Sequence, residues 1–490
     1  MGAEANPTCP NCRRLQAQLD VQHAQLETQR AQLDTLRTQL DVLQRTIGQL
    51  QAQLAAARKD SSTSSKPPSS DIVKPPKPPP PTGQDKRRIG GQPGHPKHER
   101  IAFPPESVNG GFFDYRSDTC PACGHDLQAT TVAPRVVQQI DINEVPLRIE
   151  EHRVEAGWCP HCQKVCYAPL PSPIERGGLV GSRLTTLIAF LKGACHASFS
   201  TIRKFLRDVV QVTISRGQLA KIIGKASQAL EQPYEELLEH LPTEARLNID
   251  ETGHRQNGDR MWTWCFRASL YTLFKIDPTR SGDVLIEVLG TEFNGVLGCD
   301  YFSAYRRYQR EFGVLLQFCL AHLIRDVKFL TTLPDPRERS YGERLREALR
   351  RLFAVIHRRE QLSAEDFQSQ LEVARADVLR CGTQEVPETK HSRNLAKRLQ
   401  KHGKSYFRFL TEPGVEPTNN LAEQAIRFVV LDRLVTQGTR SAAGNRWCER
   451  IWTVIATCTQ QGRSVFDYLS AAVEAWFHRT DAPSLLPRES

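Results

Sequence analysis

Three carboxylates, widely separated along the chain, have the chemistry needed to bind divalent metal ions together. Asp250 follows the alternating stretch "ARLNI", Asp300 follows "GVLGC", and Glu423 lies in "NNLAEQAIR". Mg²⁺ prefers oxygen ligands, and two such ions about 4 Å apart can activate a water or a 3′-hydroxyl and stabilise the oxygen that leaves a phosphodiester. Carboxylates that converge without a cation repel one another, so a metal site would explain their convergence. Alternatively, Asp250 is an ordinary strand-end acid and Asp300 a turn residue.

Glu423 also has a purely structural interpretation. Asn420 can cap a helix in which Glu423 is the third residue, which closes a capping box, and Arg427 lies one turn further on the same face. The cap and the metal ligand are compatible, because a capped helix start would hold Glu423 in place.

Two Cys-x-x-Cys pairs, in "CPACGH" and "CPHCQK", have the spacing of a four-thiolate zinc site of the ribbon type. The ligands would be Cys120, Cys123, Cys159 and Cys162. The segments 135–142 and 147–158 are predicted strands of this module, which we assign to residues 101–175. Four ordinary core thiols are the alternative, and they fit poorly with a proline inside both pairs.

The elements that would position the carboxylates form a sheet. Residues 245–250 are a predicted strand that ends at Asp250, whose side chain lies on the polar face of the strand. Two further strands are predicted within 261–277. A predicted helix then precedes a fourth strand, which ends at Asp300. A fifth strand runs into a helix. This order is that of a ribonuclease-H-like α/β fold, in which the first and fourth strands are neighbours. We assign it to residues 242–475, with a helical insertion over about 334–413 and a tail at 476–490.

Residues 176–241 are predicted to be helical, with two helices over 198–230 separated by "QVT". Ser215 and Gln218 would form a capping box at the start of the second helix. The pair resembles a helix-turn-helix, whose second helix enters the major groove of DNA. A helical connector with a solvated basic face is an equally good interpretation. The outward-facing DNA-binding candidates are Arg216, Gln218, Lys221 and Lys225.

The first 57 residues contain a leucine repeat of period seven over 15–54, which predicts a coiled coil that joins copies of this chain into a homo-oligomer. A long helix packed within one chain is the alternative. Cys9 and Cys12, directly before the repeat, have no second pair, so two chains could complete one zinc site between them. Residues 58–100 are rich in Pro, Ser and Lys and are predicted to be a disordered basic linker.

The net charge of +10, from 65 Lys and Arg against 55 Asp and Glu, suits a polyanionic partner. No secretory signal or membrane-spanning run is evident, which predicts a cytoplasmic protein without a membrane partner. The 14 cysteines would then be thiols or metal ligands.

The motifs together resemble the large, TnpC-type transposases of the "insertion sequence sixty-six" family. Besides the two cysteine pairs, the matching stretches are "SSKPPSSD" (64–71), "GGQPGH" (90–95), "DETG" (250–253), "CDYFSAY" (299–305), "CLAH" (319–322) and "NNLAEQAIR" (419–427). They follow the order of the family. The chain departs from it at Leu320, where the family has tryptophan, and at Leu434 and Val435, which replace a Lys and an Asn after the retained Arg433.

The resemblance implies a multidomain α+β DDE transposase whose triad is Asp250, Asp300 and Glu423. It would use Mg²⁺ or Mn²⁺ at the triad and Zn²⁺ at the cysteines, and it would act on element ends and target DNA in the bacterial cytoplasm, at the nucleoid. Small accessory proteins of the same element are possible partners. Arg427 and Arg433 are further DNA-binding candidates. The alternatives are a ribonuclease-H-like nuclease without strand transfer and a non-catalytic zinc and coiled-coil DNA-binding protein.

Overall fold

A computed structural model describes residues 10–57, 103–108, 112, 122–123, 125, 146–154, 156–161 and 163–487. The described residues fall into two compact units. The first contains residues 10–57, 154–204 and 214–487, and the second contains those between 103 and 153 together with 205–213. The predicted linker at 58–100 and the predicted strand at 135–142 lie outside the described residues.

The N-terminal leucine repeat lies on one continuous helix, α1, Pro10–Ala57, of 48 residues. Every Leu and Ile of the seven-residue repeat is exposed on this chain, from Leu15 to Leu54. The predicted helix is therefore confirmed, whereas its pairing with a second chain stays a prediction.

The second cysteine pair is associated with a β-hairpin. Strands β1, Ala156–Cys159, and β2, Lys164–Tyr167, pair antiparallel, with Cys159 opposite Lys164. The strand predicted over 147–158 begins only at Ala156, because residues 146–154 form no ladder with another described segment.

Five helices lie between the β1–β2 hairpin and the main sheet. They are α2, Ser172–Gly177; α3, Ser182–Gly193; α4, Phe199–Asp208; α5, Arg216–Ala229; and α6, Glu231–His240. The Ser215 hydroxyl accepts the backbone N–H of Gln218, 3.1 Å away, so the N-cap predicted for α5 is confirmed. The boundary predicted at residue 175 is wrong by a few residues, because it cuts α2.

Five strands form one mixed sheet in the order β5-β4-β3-β6-β7. They are β3, Arg246–Gln256; β4, Asp259–Arg267; β5, Thr272–Asp277; β6, Val296–Cys299; and β7, Leu315–Phe318. The pairs β3–β4 and β4–β5 are antiparallel, and the pairs β3–β6 and β6–β7 are parallel. The predicted adjacency of the first and fourth strands of this sheet is thus confirmed.

The first strand of the sheet does not end at Asp250, which corrects the prediction. Strand β3 runs on to Gln256, because it keeps pairing with β4 as far as Gln256 opposite Asp259. Its parallel pairing with β6 stops earlier, at Asn248 opposite Gly298. Asp250 and Asp300 each lie two residues beyond that last pair, at the same end of the β3–β6 ladder.

One helix follows each of the strands β5, β6 and β7. These are α7, Asp283–Leu289; α8, Ser303–Phe312; and α9, Leu320–Leu330. The predicted insertion is helical, with α10, Pro336–Ile356; α11, Ala364–Thr383; and α12, Lys390–Tyr406. The last three helices are α13, Asn420–Thr436; α14, Ala442–Gln460; and α15, Val465–His478.

Helix α14 lies beside β5 at the centre of the apolar core. Thr453 on α14 accepts the backbone N–H of Phe274, 3.1 Å away, and Trp452 packs edge-on against the ring of Phe274. Trp264 and Trp452 are among the largest fully buried side chains. Helices α14 and α15 also pack on α3 and α5, so the helices before the sheet share a core with it.

The predicted tail at 476–490 is too long. Helix α15 continues to His478, and Leu485 beyond it is fully buried. Gln461 donates to the carbonyl of Leu485 over 2.8 Å. The described C-terminal residues are therefore part of the folded domain. No helix in the described ranges is long and apolar enough to cross a membrane.

Candidate active site

Asp250 lies half-buried on β3, and its Oδ1 accepts the backbone N–H of Glu251 over 2.9 Å. Burial raises the pKa of Asp250 well above its usual range, and the negative charges of Glu251, Asp300 and Glu423 raise it further. The carboxylates that the sequence singled out therefore act on one another electrostatically in the fold.

Asp300 follows β6 directly, and its Oδ1 accepts the backbone N–H of Phe302 over 2.8 Å. Burial raises the pKa of Asp300, although the Phe302 hydrogen bond and the charges of Arg280 and Arg398 act in the opposite direction. This carboxylate thus faces cations from two different parts of the chain, one after β5 and one on α12.

Glu423 lies on the first turn of α13. Its Oε1 is 3.3 Å from Nη2 of Arg325 and 3.6 Å from Nδ1 of His322, both on α9. The predicted pairing with Arg427 is not formed among the described residues, because the carboxylate turns towards α9 while Arg427 is exposed.

Asn419, not Asn420, precedes the first residue of α13, and its side chain does not cap the helix. The predicted capping box is therefore wrong. The Asn419 amide instead donates to the carbonyl of Ile249 over 2.7 Å and accepts from Nδ2 of Asn248 over 2.9 Å. Asn419 thus joins the start of α13 to β3, next to Asp250.

A second fastening joins the other end of α13 to β3. Arg433 donates to the carbonyl of Gly253 and to Oγ1 of Thr252. Beyond the helix, the backbone N–H of Thr439 donates to Arg255 over 2.9 Å, and the N–H of Asn257 donates to Thr439 over 2.8 Å. The guanidinium of Arg433 is thus half-buried against β3, and its predicted contact with DNA stays a prediction.

The three carboxylates interact electrostatically, but their oxygen atoms are not grouped tightly enough to share one ion. Among the residues that the structure describes, the three potential metal ligands whose atoms all lie within 4.8 Å of one another are Cys319, His322 and Glu423. Asp250, Asp300 and Glu423 together do not meet that distance. In a two-ion centre, however, ligands of different ions need not touch, because the ions themselves lie about 4 Å apart. The described geometry therefore does not place the three carboxylates around one shared ion.

Glu251 is a site residue that the sequence did not single out. It is buried beside Asp250, its Oε1 accepts from Arg280 Nε over 2.8 Å, and its Oε2 accepts from the hydroxyl of Tyr305. Alternation along β3 places residue 251 on the apolar face, and a carboxylate there is the signal that could have revealed it. Arg280 thereby offsets part of the negative charge around Asp250 and Asp300.

Cys319 and His322 lie at the start of α9 and were noted in the sequence only as part of "CLAH". The sulfur of Cys319 accepts the backbone N–H of Asn419 over 3.1 Å. Nδ1 of His322 is buried and has no hydrogen-bond partner among the residues that the structure describes. Burial, together with the charges of Arg325 and Arg398, lowers the pKa of His322 to about 3.

The DNA-binding candidates on α5 divide into two groups. The ammonium of Lys225 donates to the carbonyls of Arg176 and Gly177 over 2.5 and 2.8 Å, so this lysine ties α5 to α2 and does not point outward as predicted. Arg216 and Lys221 are exposed, and Gln218 is partly exposed. Whether this exposed face meets DNA stays a prediction.

The predicted zinc ligands are only partly within the described residues. Cys120 and Cys162 lie outside them, as does Cys9. Cys123 is exposed, and the backbone of Cys159 ends strand β1. The four-cysteine site therefore stays a prediction for these residues.

Comparison with known proteins gives three family matches. Residues 177–446 match the family described as "Transposase IS66 family", and residues 117–163 match the "zinc-finger binding domain of transposase IS66". Residues 4–101 match a family of unknown function. The first match covers the main sheet, the insertion and all three predicted carboxylates.

Two curated relatives come from Sinorhizobium fredii (strain NBRC 101917 / NGR234). The uncharacterized protein y4hP is 24% identical over 379 residues, which cover 69% of this chain and 67% of the relative. The uncharacterized protein y4qI is 22% identical over 340 residues, which cover 62% of this chain and 61% of the relative. The matches thus span about two thirds of the length of each relative.

Proposed function

Because the chain belongs to the IS66 family of transposases, we propose that it is a DDE-type enzyme that cuts DNA at the ends of its own element and joins the exposed 3′ ends to target DNA. The observation that carries this proposal is the electrostatic convergence of Asp250, Asp300 and Glu423, which come from β3, the end of β6 and α13. Three such carboxylates in one fold are costly unless a cation joins them.

Asp250, Asp300 and Glu423 would hold the divalent ions, magnesium or manganese. When bound, these ions would supply Lewis acids that activate the attacking oxygen and neutralise charge on the departing one. The chain itself positions the acids. Strands β3 and β6 pair in parallel until two residues before the two aspartates, and Asn419 joins the start of α13 to β3. The topology of the sheet supports a ribonuclease-H-like catalytic domain.

Cations around the acids would position the DNA backbone. A groove beside Asp300 is lined by Tyr301 and by Lys397, Arg398 and Lys401 on α12. Arg398 is anchored by an ion pair with Asp326 over 2.7 Å, and its guanidinium lies 4.1 Å from the ring centre of Tyr301. The two lysines are exposed and can meet phosphates. A DNA strand lying in this groove would pass next to the triad.

Replacement of the acids by amides tests the proposal. In Asp250→Asn, Asp300→Asn and Glu423→Gln the side-chain size is kept and the charge that holds the ions is lost. We expect each to reduce cleavage of DNA carrying the inverted repeats that flank the gene by at least about 10²-fold, as for loss of one preorganised electrostatic group. Binding of those ends should persist.

Asp366→Asn, an exposed acid on α11, is the matched control and should cleave like the parent. An Asp300→Asn protein that still nicks element ends would remove this residue from the mechanism. Supplying DNA with a free 3′ end separates the alternatives, because a plain nuclease would yield no joined product and a non-catalytic binder would yield neither product.

A further inference from the structure

Cys319, His322 and Glu423 form a compact group beside the proposed magnesium ligands. Cys319 precedes α9, His322 lies on its first turn, and Glu423 comes from the first turn of α13. One ligand atom from each lies within 4.8 Å of the other two. The two helix starts thus bring a thiol, an imidazole and a carboxylate together from distant parts of the sequence.

One nitrogen of the imidazole in this group is buried and has no hydrogen-bond partner in the part of the chain that the structure describes. The His322 side chain is only 9% exposed, and this nitrogen, Nδ1, lies 3.6 Å from Oε1 of Glu423. A buried polar atom without a hydrogen bond destabilises the fold, so a ligand for this nitrogen would remove that cost. The nitrogen points at the same carboxylate that completes the group.

Burial raises the pKa of the Cys319 thiol, while backbone N–H groups around the sulfur act in the opposite direction. Besides the N–H of Asn419, the backbone N–H groups of Ala321 and His322, in the first turn of α9, point at the sulfur. Such donors and the positive end of a helix favour a negatively charged sulfur. The same N–H donors would stabilise a thiolate that is bound to a metal ion.

The spacing fits a small ion after minor adjustment. For three atoms within 4.8 Å of one another there is a point no more than about 2.8 Å from each, whereas zinc bonds to sulfur, nitrogen and oxygen measure about 2.0–2.3 Å. The donor atoms therefore have to move closer to that point by at most about 0.5–0.8 Å, which side-chain rotation can supply.

The ligand chemistry selects the ion. Thiolate and imidazole ligands favour zinc, whereas magnesium takes oxygen ligands almost exclusively. Three protein ligands with a fourth position open are typical of zinc sites that also bind water or another molecule. The group therefore differs in kind from an oxygen-only magnesium centre.

We propose that Cys319, His322 and Glu423 bind one zinc ion, separate from the ion expected at the two cysteine pairs. Zinc bound here would engage Glu423 and so withdraw it from the magnesium ligands. That consequence rests on the proposed function, whereas the zinc site itself does not.

Zinc content of the full-length chain tests this proposal without measuring activity. Cys9→Ser and Cys12→Ser are introduced throughout, so that the N-terminal pair contributes no metal. We expect about two zinc ions per parent chain and about one in Cys319→Ser and in His322→Gln. Cys458→Ser, which alters a fully buried cysteine on α14, is the control and should keep both ions.

Cobalt substitution provides the second readout, because thiolate-to-cobalt absorption reports the sulfur directly. His322→Gln should lose one equivalent of cobalt while its melting temperature stays near that of Cys458→Ser. Equal zinc content in the parent, Cys319→Ser and His322→Gln overturns the proposal. If both variants fail to fold, the parent decides: one zinc ion per chain refutes the site, and a second one supports it.

Discussion

Substitution of Glu251 by Gln probes the buried charge pair that supports the acids. Glu251 exposes 1% of its side chain and Arg280 exposes 34%. The amide keeps the shape but offers one acceptor where the carboxylate offers two, so it cannot serve both Arg280 and Tyr305 equally. Arg280 would remain without its counter-charge, while its ring contacts with Trp262 and Phe302 would stay.

The expected cost follows from the burial of the pair. Removing one partner of a buried ion pair typically costs about 3–5 kcal/mol, and the partial exposure of Arg280 places this case near 3 kcal/mol. For a domain of this size, about 2 °C per kcal/mol applies, so the melting temperature should fall by about 6 °C. Thermal unfolding followed by circular dichroism measures it.

Glu287→Gln is the matched control, because Glu287 pairs with Lys275 over 2.9 Å on the surface of the same domain and is 59% exposed. An exposed pair contributes little, so we expect a fall of less than about 2 °C. The reasoning about Glu251 is refuted if Glu251→Gln melts no lower than this control.

Three further predictions follow from other parts of the molecule. Burial and neighbouring acids raise the pKa of Asp250 above 3.8. Between pH 3.8 and the raised pKa, the folded chain therefore keeps a proton on Asp250 that the unfolded chain has lost. The stability of the metal-free protein should fall as the pH rises through this range. The rise in melting temperature caused by magnesium should grow over the same pH range, and a pH-independent magnesium effect in the parent would contradict this. The double variant Leu36→Asp with Leu43→Asp should lose self-association in sedimentation, because charge in the leucine repeat costs several kcal/mol. Val42→Asp, which lies outside the leucine repeat, should assemble like the parent. Unchanged assembly of the double variant would exclude the leucine repeat as the site of self-association. Lys397→Glu with Lys401→Glu should weaken DNA binding and lower the slope of its salt dependence by about 2, and an unchanged slope would place the DNA elsewhere.

The order of the main sheet was accessible from the sequence because it depends on local pattern. Alternation up to Ile249 and the short apolar runs before Asp300 and within β7 each mark one strand. The adjacency of β3 and β6 then follows from the strand order. The length of β3 was not accessible, because its extension to Gln256 depends on pairing with β4 and not on apolar alternation.

The roles of individual charged residues were less predictable, since their partners lie far away in the sequence. Arg433 looks like a surface cation on a helix, yet its partners are on β3. Glu251 is compatible with a buried position only because Arg280 and Tyr305 reach it. The turn of Glu423 towards His322 likewise depends on how α9 and α13 meet. Pattern predicts elements, whereas such contacts require the packing of several elements at once.

The hydrogen bonds that join both ends of α13 to β3 restrict the motion of this helix. A helix of 17 residues is about 25 Å long, and this one is tied to the same strand near Asn419 at its start and beyond its end at Thr439. It can neither slide along the strand nor fray independently at its C-terminal end. The amides of Asn257 and Thr439 should therefore exchange with solvent deuterium as slowly as those of the central sheet, because only cooperative opening of strand and helix exposes them.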